Sequence, residues 1–203
     1  MSTLQAARER QLPKLLVGDA SASWWAMWLV LATETSLFAA LLFSYFYLAL
    51  GTSPWPPTGI KLPELALPAI GTSLLLSSTL PMAWAQISIR RGQQAGLLVG
   101  LMVSFAMGAL FLGLQLVELA AKDFQPQTNA YGSVLFTIVG LHGVHVVVGL
   151  LISAVVQLRA WLGHFSARRH SAIENLALYW YFLALLSTVI FILLDVSPHV
   201  SQG

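Results

Sequence analysis

The chain has 203 residues, of which 57% are hydrophobic and only 9% are charged, and its mean hydropathy is +0.76. A soluble domain carries about 25% charged residues, so this composition predicts an integral membrane protein. The absence of cysteine excludes disulfides and thiolate metal sites, and a net charge of +2 from dispersed basic residues argues against nucleic-acid binding.

Five apolar runs are long enough to cross a bilayer as helices, which requires roughly 20 residues each. The expected fold is therefore all-α: an N-terminal tail, residues 1–23, followed by one domain, residues 24–203, that forms an integral membrane bundle of five transmembrane helices. The first run is too long for a cleaved signal peptide. The predicted spans lie near residues 24–50, 66–88, 95–118, 131–158 and 174–196.

The connections between these runs are short. Residues 51–64, GTSPWPPTGIKLPE, are rich in proline and glycine and cannot be helical throughout. Residues 90–93, RRGQ, predict a tight basic turn between the second and third spans.

The basic residues predict the orientation of the bundle, because lysine and arginine concentrate in cytoplasmic loops. With five spans, the N-terminal tail and the second and fourth connections share one side of the membrane. The other side holds only Lys61 and Lys122. We therefore expect a cytoplasmic N-terminus and a C-terminus outside. The basic residues on the predicted cytoplasmic side are Arg8, Arg10, Lys14, Arg90, Arg91, Arg159, Arg168 and Arg169.

Ionisable residues inside the spans are candidate functional residues, since charge is costly in hydrocarbon. Glu34 lies ten residues beyond Trp24, which corresponds to a depth of about 15 Å on a helix. His142 and His145 of the fourth span reach a similar depth from the other side, and as i, i+3 neighbours they share one helix face. Two further polar residues near the outer end of the third span are Gln115 and Glu118.

The pattern alone leaves three interpretations of these residues open. Glycines beside the histidines favour a close helix interface, in which one or both imidazoles bond Glu34 or a backbone carbonyl. A metal site of His142, His145 and Glu34 is the second, although no fourth ligand is evident. The third is proton transfer through Glu34.

Five segments, in order along the chain, resemble subunit III of the haem–copper terminal oxidases. The resemblance begins near Trp24 and is to the five-span form of that family. The segments are ATETSLFAALLFSYFY (32–47), WPPTGI (55–60), LPAIGTSLLLSST (67–79), LFLGLQLVELA (110–120) and AYGSVLFTIVGLHGVHVVVGL (130–150). The chain departs from the family in the last span, where Tyr181 and Ala184 occupy the places of a histidine and an aspartate.

This resemblance implies a non-catalytic subunit of a proton-pumping oxygen reductase, which reduces O2 to water in aerobic respiration. The haems and copper of that family lie in partner subunits, so it implies no catalytic, cofactor-binding or metal-binding residue here. The implied partners are subunit I, subunit II, other respiratory complexes and phospholipid held in a V-shaped cleft between the helices. The implied roles are stabilising subunit I and supporting proton uptake, in a bacterial plasma membrane.

By position, the resemblance assigns structural or lipid-facing roles to residues that match the family's motifs. Glu34 matches its buried carboxylate. The other matching residues are His142, His145, Gln115, Glu118, Tyr179 and Trp180. The basic loop carrying Arg159, Arg168 and Arg169 either contacts anionic lipid headgroups or only sets the topology.

Other functions remain open. The same family includes subunits associated with nitric oxide reductases and quinol oxidases, so the electron donor does not follow from this chain. A small stand-alone transporter is a further alternative, which broken helices and an inverted repeat would favour. The sequence shows no obvious repeat.

Overall fold

A computed structural model describes residues 22–52, 55–57, 60, 64–166 and 170–201. Every regular element within these ranges is helical, which confirms the predicted all-α class. Most of the predicted N-terminal tail, Lys61, Arg168 and Arg169 lie outside the described residues. The elements are α1 (Ala22–Gly51), α2 (Ala66–Ser77), α3 (Thr79–Arg90), α4 (Gln94–Ala120), α5 (Ala130–Trp161), α6 (Ser171–Ile190), a π-helical turn (Phe191–Val196) and α7 (Ser197–Ser201).

Five segments in the described part of the chain are long and apolar enough to span a membrane, as predicted. They are α1, α2 with α3, α4, α5, and α6 with its π-helical turn. The shortest has 25 residues and is about 37 Å long at 1.5 Å per residue, which exceeds the roughly 30 Å hydrocarbon core of a bilayer. The chain is therefore a multi-pass membrane protein.

The second span is interrupted where the sequence predicted a continuous helix. α2 ends at Ser77 and α3 begins at Thr79. Pro81 explains the break, because it has no N–H to donate to the carbonyl of Ser77 and its ring crowds that carbonyl. Ser78, between the two helices, keeps helical angles of φ −65° and ψ −15°, so the span continues beyond the break.

α6 is the central helix of the bundle. It packs against α1, α2, α3 and α5, and half of the residues in its most apolar stretch are buried, against 11% for α1. Its Trp180 is fully buried and lies over Gly108 of α4, where an added Cβ would be 2.7 Å from the indole. The indole N–H donates to the hydroxyl of Ser78 at 2.8 Å. The break in the second span thus supplies the hydrogen-bond acceptor for the largest side chain of the core.

α1 packs on the bundle along one narrow stripe. The buried residues Leu31, Phe38 and Tyr45 recur every seven residues, and α1 contacts α5 and α6. A seven-residue repeat keeps one side of a helix against its neighbours. The remaining sides expose large apolar and aromatic side chains, which include Trp25, Trp28, Leu29, Phe43 and Tyr47.

Glycine forms the tight turn predicted after the second span. Gly92 has φ +72°, a left-handed conformation that glycine adopts without steric cost. Its N–H donates to the carbonyl of Ile89 at 2.9 Å. The N–H of Gln93 donates to the carbonyl of Ser88 at 2.8 Å. These two bonds form a Schellman motif, which ends α3 and returns the chain into α4.

Replacing Gly100 of α4 by alanine tests how closely α3 and α4 approach. An added Cβ there would lie 2.6 Å from the carbonyl oxygen of Pro81 and 2.8 Å from the Cβ of Ala85. We expect Gly100→Ala to lower the free energy of unfolding by about 1–3 kcal/mol, the usual cost of overpacking. The measurement is thermal or denaturant unfolding of the purified protein in mild detergent.

The matched control is Gly113→Ala in the same helix, where an added Cβ meets nothing within 4 Å. Since alanine favours a helix over glycine by about 1 kcal/mol, this variant should be unchanged or slightly more stable. Equal effects of the two substitutions would contradict the close packing of α3 on α4.

Candidate functional site

Glu34 and His145 form a hydrogen bond that joins α1 to α5. Glu34 lies on the buried stripe of α1, between Leu31 and Phe38. Its Oε2 is 2.7 Å from Nε2 of His145, and both side chains are largely buried. The ring of Phe38 packs edge-on against that of His145, with centroids 5.3 Å apart. The carboxyl and imidazole groups, which are both costly to bury in hydrocarbon, are therefore each other's hydrogen-bond partners.

The contact made by Nδ1, the second ring nitrogen of His145, limits where hydrogens can lie in the Glu34–His145 pair. Nδ1 lies 2.7 Å from the carbonyl oxygen of Leu141. A carbonyl oxygen only accepts, so Nδ1 carries a hydrogen and donates. Nε2 then either accepts from a protonated Glu34 or, in an imidazolium, donates to a carboxylate. Both nitrogens of His145 are thus engaged by protein groups.

His142 has different surroundings, although it lies only one turn away. It is 1% exposed, and its ring lies between Phe38 and Phe111, with centroid distances of 6.4 and 5.8 Å. Neither ring nitrogen has a hydrogen-bond partner among the described residues. The structure therefore brings one of the two predicted histidines to Glu34 and leaves the other against α4.

These positions bear on the metal interpretation. The ring nitrogens of His145 are used by Leu141 and Glu34, and His142 bonds to neither. In the described part of the chain, no three His, Cys, Asp or Glu side chains converge as a metal site would require. The arrangement is that of an interhelical hydrogen bond.

Gln115 and Glu118 of α4 bond to different elements. The side-chain amide of Gln115 donates to the carbonyl of Val139 on α5 at 3.2 Å. Glu118 forms an ion pair of 2.9 Å with Lys122, just beyond the end of α4. Gln115 thus links two helices, whereas the ion pair is confined to the end of one.

Tyr179 and Trp180 are buried inside the bundle. The hydroxyl of Tyr179 donates to the backbone carbonyl of His145 at 3.3 Å. This approach depends on Gly149, where an added Cβ would lie 2.9 Å from Leu183 and 3.3 Å from the tyrosine ring. Tyr179 therefore packs α6 against α5, and Trp180 packs α6 against the break in the second span.

The two residues that depart from the family pattern are accommodated differently. Tyr181 donates its hydroxyl hydrogen to Oε1 of Gln86 on α3 at 2.6 Å. Ala184 is buried in the apolar core. Tyr181 thus forms a hydrogen bond between helices, and Ala184 is part of the apolar packing.

Sequence reasoning overlooked Asp195, which is buried in the π-helical turn and lies in a cavity that Glu118 and Lys122 also line. The signal was present as a lone aspartate after the apolar run FILL at the end of the last span. It also overlooked Gln86, whose role depends on the side chain opposite it. Arg159 is exposed in the last turn of α5, and the other two predicted headgroup contacts, Arg168 and Arg169, lie outside the described residues.

Comparison with known proteins identifies one family. The family model described as cytochrome c oxidase subunit III matches residues 20–197. Cytochrome c oxidase subunit 3 of Lumbricus terrestris is 34% identical over 165 residues, which cover 78% of this chain and 64% of that protein. The same-named proteins of Equus caballus and Tachyglossus aculeatus aculeatus are 33% and 32% identical, each over 78% of this chain and 63% of theirs.

The fold and the site together define a class: a multi-pass helical membrane protein whose intramembrane carboxylate bonds a histidine of another helix. Within that class, the chain belongs to the cytochrome c oxidase subunit III family. This confirms the family predicted from the five sequence segments. The matched region is a little under two thirds of the length of these relatives.

Substitutions at Glu34 test the bond to His145. Glutamine retains a group that can donate to or accept from the imidazole, whereas alanine leaves Nε2 without its partner. We expect Glu34→Ala to lower the free energy of unfolding by about 0.6–2 kcal/mol, the range for interhelical hydrogen bonds in membranes, and Glu34→Gln to lower it less. Denaturant unfolding in mild detergent measures both values.

Ser36→Ala is the control, because Ser36 is exposed on the same helix and its hydroxyl bonds only the carbonyl of Ala32, one turn earlier. It should leave stability nearly unchanged. If Glu34→Ala behaves like Ser36→Ala, the bond contributes no net stability to the bundle.

Proposed function

We propose that this chain is the non-catalytic subunit III of a proton-pumping haem–copper oxygen reductase in a bacterial plasma membrane. The observation that carries the proposal is the family match across residues 20–197, which includes the first four spans and nearly all of the fifth. The relatives are named as subunits of cytochrome c oxidase. The partners we propose are subunit I, in direct contact, subunit II and membrane phospholipid.

The chemistry of the histidines supports a non-catalytic role. Haem and copper centres are held mainly by histidine nitrogens. The chain has five histidines, and His164, His170 and His199 lie at connections or helix ends. His145 uses both nitrogens within the protein, which leaves His142 as the one free intramembrane imidazole among the described residues. A single histidine is too few for the redox centres of such an enzyme, so we assign these to partner subunits.

The role we assign to the bundle is structural. The Glu34–His145 bond holds α1, the least buried span, against α5. The exposed sides of α1 offer a broad apolar and aromatic surface. We place phospholipid and subunit I along the surfaces of the bundle that its own helices do not cover. These contacts with subunit I and phospholipid are the means by which we propose that the chain stabilises subunit I and supports proton uptake during sustained turnover.

Basic residues at one end of the bundle suit a cytoplasmic membrane surface. Arg90 is exposed and pairs with Glu174 at 2.9 Å, and Arg159 is exposed at the end of α5. Each basic residue near an anionic lipid surface contributes about 1 kcal/mol of attraction. We therefore propose that Arg159, with Arg168 and Arg169 of the connection that follows α5, contacts lipid headgroups on the cytoplasmic side.

Purification from native membranes in mild detergent tests the function directly. We expect this chain to co-purify with a haem-bearing subunit I and a copper-bearing subunit II, identified by mass spectrometry. The reduced-minus-oxidised absorption spectrum should show haem bands. Co-purification with a nitric oxide reductase or a quinol-oxidising subunit would replace the oxygen reductase assignment, and isolation of the chain alone without haem would contradict it.

Single cysteines test the orientation, because the natural chain has none. Gln93 and Gln127 are exposed glutamines in the α3–α4 turn and the α4–α5 connection, and the positive-inside rule puts them on opposite sides. An impermeant maleimide should label Gln127→Cys in intact spheroplasts and Gln93→Cys only after permeabilisation. The reverse pattern would show that the bundle is inverted.

A further inference from the structure

A small cavity of about 40 Å³ lies between α2, α4, α5 and α6. Glu118 and Lys122, paired at 2.9 Å, line it near the end of α4, together with the buried Asp195 of the π-helical turn. Gln115 and His142 line it nearer the middle of the bundle. A string of polar side chains thus runs from one end of the membrane-spanning region towards its centre.

Two of the residues that line this cavity carry buried polar atoms without hydrogen-bond partners among the described residues. His142 is 1% exposed, and in the described ranges no group lies within hydrogen-bond distance of either of its nitrogens. Oε1 of Gln115 is also buried without a partner there, although the amide of the same side chain is bonded. Buried polar atoms are almost always hydrogen-bonded, to protein or to ordered water. These atoms therefore indicate a ligand.

The size and chemistry of the cavity select water as that ligand. One water molecule needs roughly 10–15 Å³ of such space, so the cavity has room for about three. A metal ion is disfavoured by the ammonium group of Lys122, and the described residues contain no convergent group of three metal ligands. The hydroxyls of Thr72 and Ser187, 3.4 Å apart in the cavity wall, add further hydrogen-bonding atoms.

We propose that this cavity is a hydrated site, in which a short chain of water molecules bonds His142 and Gln115 and connects them to the Glu118–Lys122 pair. The two histidines of the fourth span then have separate functions. His145 holds α1 through Glu34, and His142 holds internal water between α4 and α5.

Hydroxyl-radical footprinting of the purified protein in its native assembly tests the site. Radiolysis of bound water produces radicals that oxidise the nearest side chains, and peptide mass spectrometry quantifies the products. Leu135 and Leu194 line the cavity, whereas Leu97 and Leu101 are equally buried outside it. We expect the two cavity leucines to be oxidised several-fold faster than the two core leucines. Equal rates would overturn the proposal.

Two variants test the part played by His142. His142→Phe removes both ring nitrogens but keeps an aromatic ring beside the two neighbouring phenylalanines. It should lower the oxidation rate of Leu135 towards that of Leu97. His142→Gln retains polar atoms and should keep the oxidation high. An unchanged rate in His142→Phe would show that His142 does not hold the water. If neither variant accumulates, the comparison of leucines in the natural chain still decides the proposal.

Discussion

The polar groups of this chain need partners within the bundle, in the protein or in internal water, because the hydrocarbon of a bilayer offers none. The break at Ser78 shows the consequence most clearly. Pro81 interrupts the second span, and the hydroxyl of Ser78 accepts the indole hydrogen of Trp180. The same indole lies over Gly108, so one hydrogen bond and one close contact fix the central helix against two other spans. This position therefore joins three of the five spans: the second, the third and the last.

The intramembrane histidines show that equal depth and equal face do not imply equal roles. His145 is turned towards α1 and bonds Glu34, while its other nitrogen bonds the preceding turn of its own helix. His142 is turned towards α4 and lies between two phenylalanine rings, beside a cavity that Gln115 and Glu118 also line. The fourth span thus serves two interfaces at once. The interface with α1 contains a direct hydrogen bond, and the interface with α4 borders a cavity that is lined in part by polar side chains.

Tyr181 and Ala184, where the resemblance to the family predicted a histidine and an aspartate, have different surroundings in the last span. Tyr181 reaches Gln86 of α3, so a polar link between these helices is present even though the residue type differs from the family pattern. Ala184 lies in the apolar core, where no partner is needed.

The sequence by itself determined the class, the five spans and the family, because length, hydropathy and motif order are local properties of the chain. It also indicated that Glu34 lies at the depth of the histidines. Only the tertiary structure decided which histidine bonds it, since that depends on the rotation of α5 relative to α1. The same holds for the pairing of Tyr181 with Gln86 and for the place of Asp195 beside Glu118 and Lys122. Side chains distant in sequence meet only once the helices have packed, and no local pattern encodes their relative rotation.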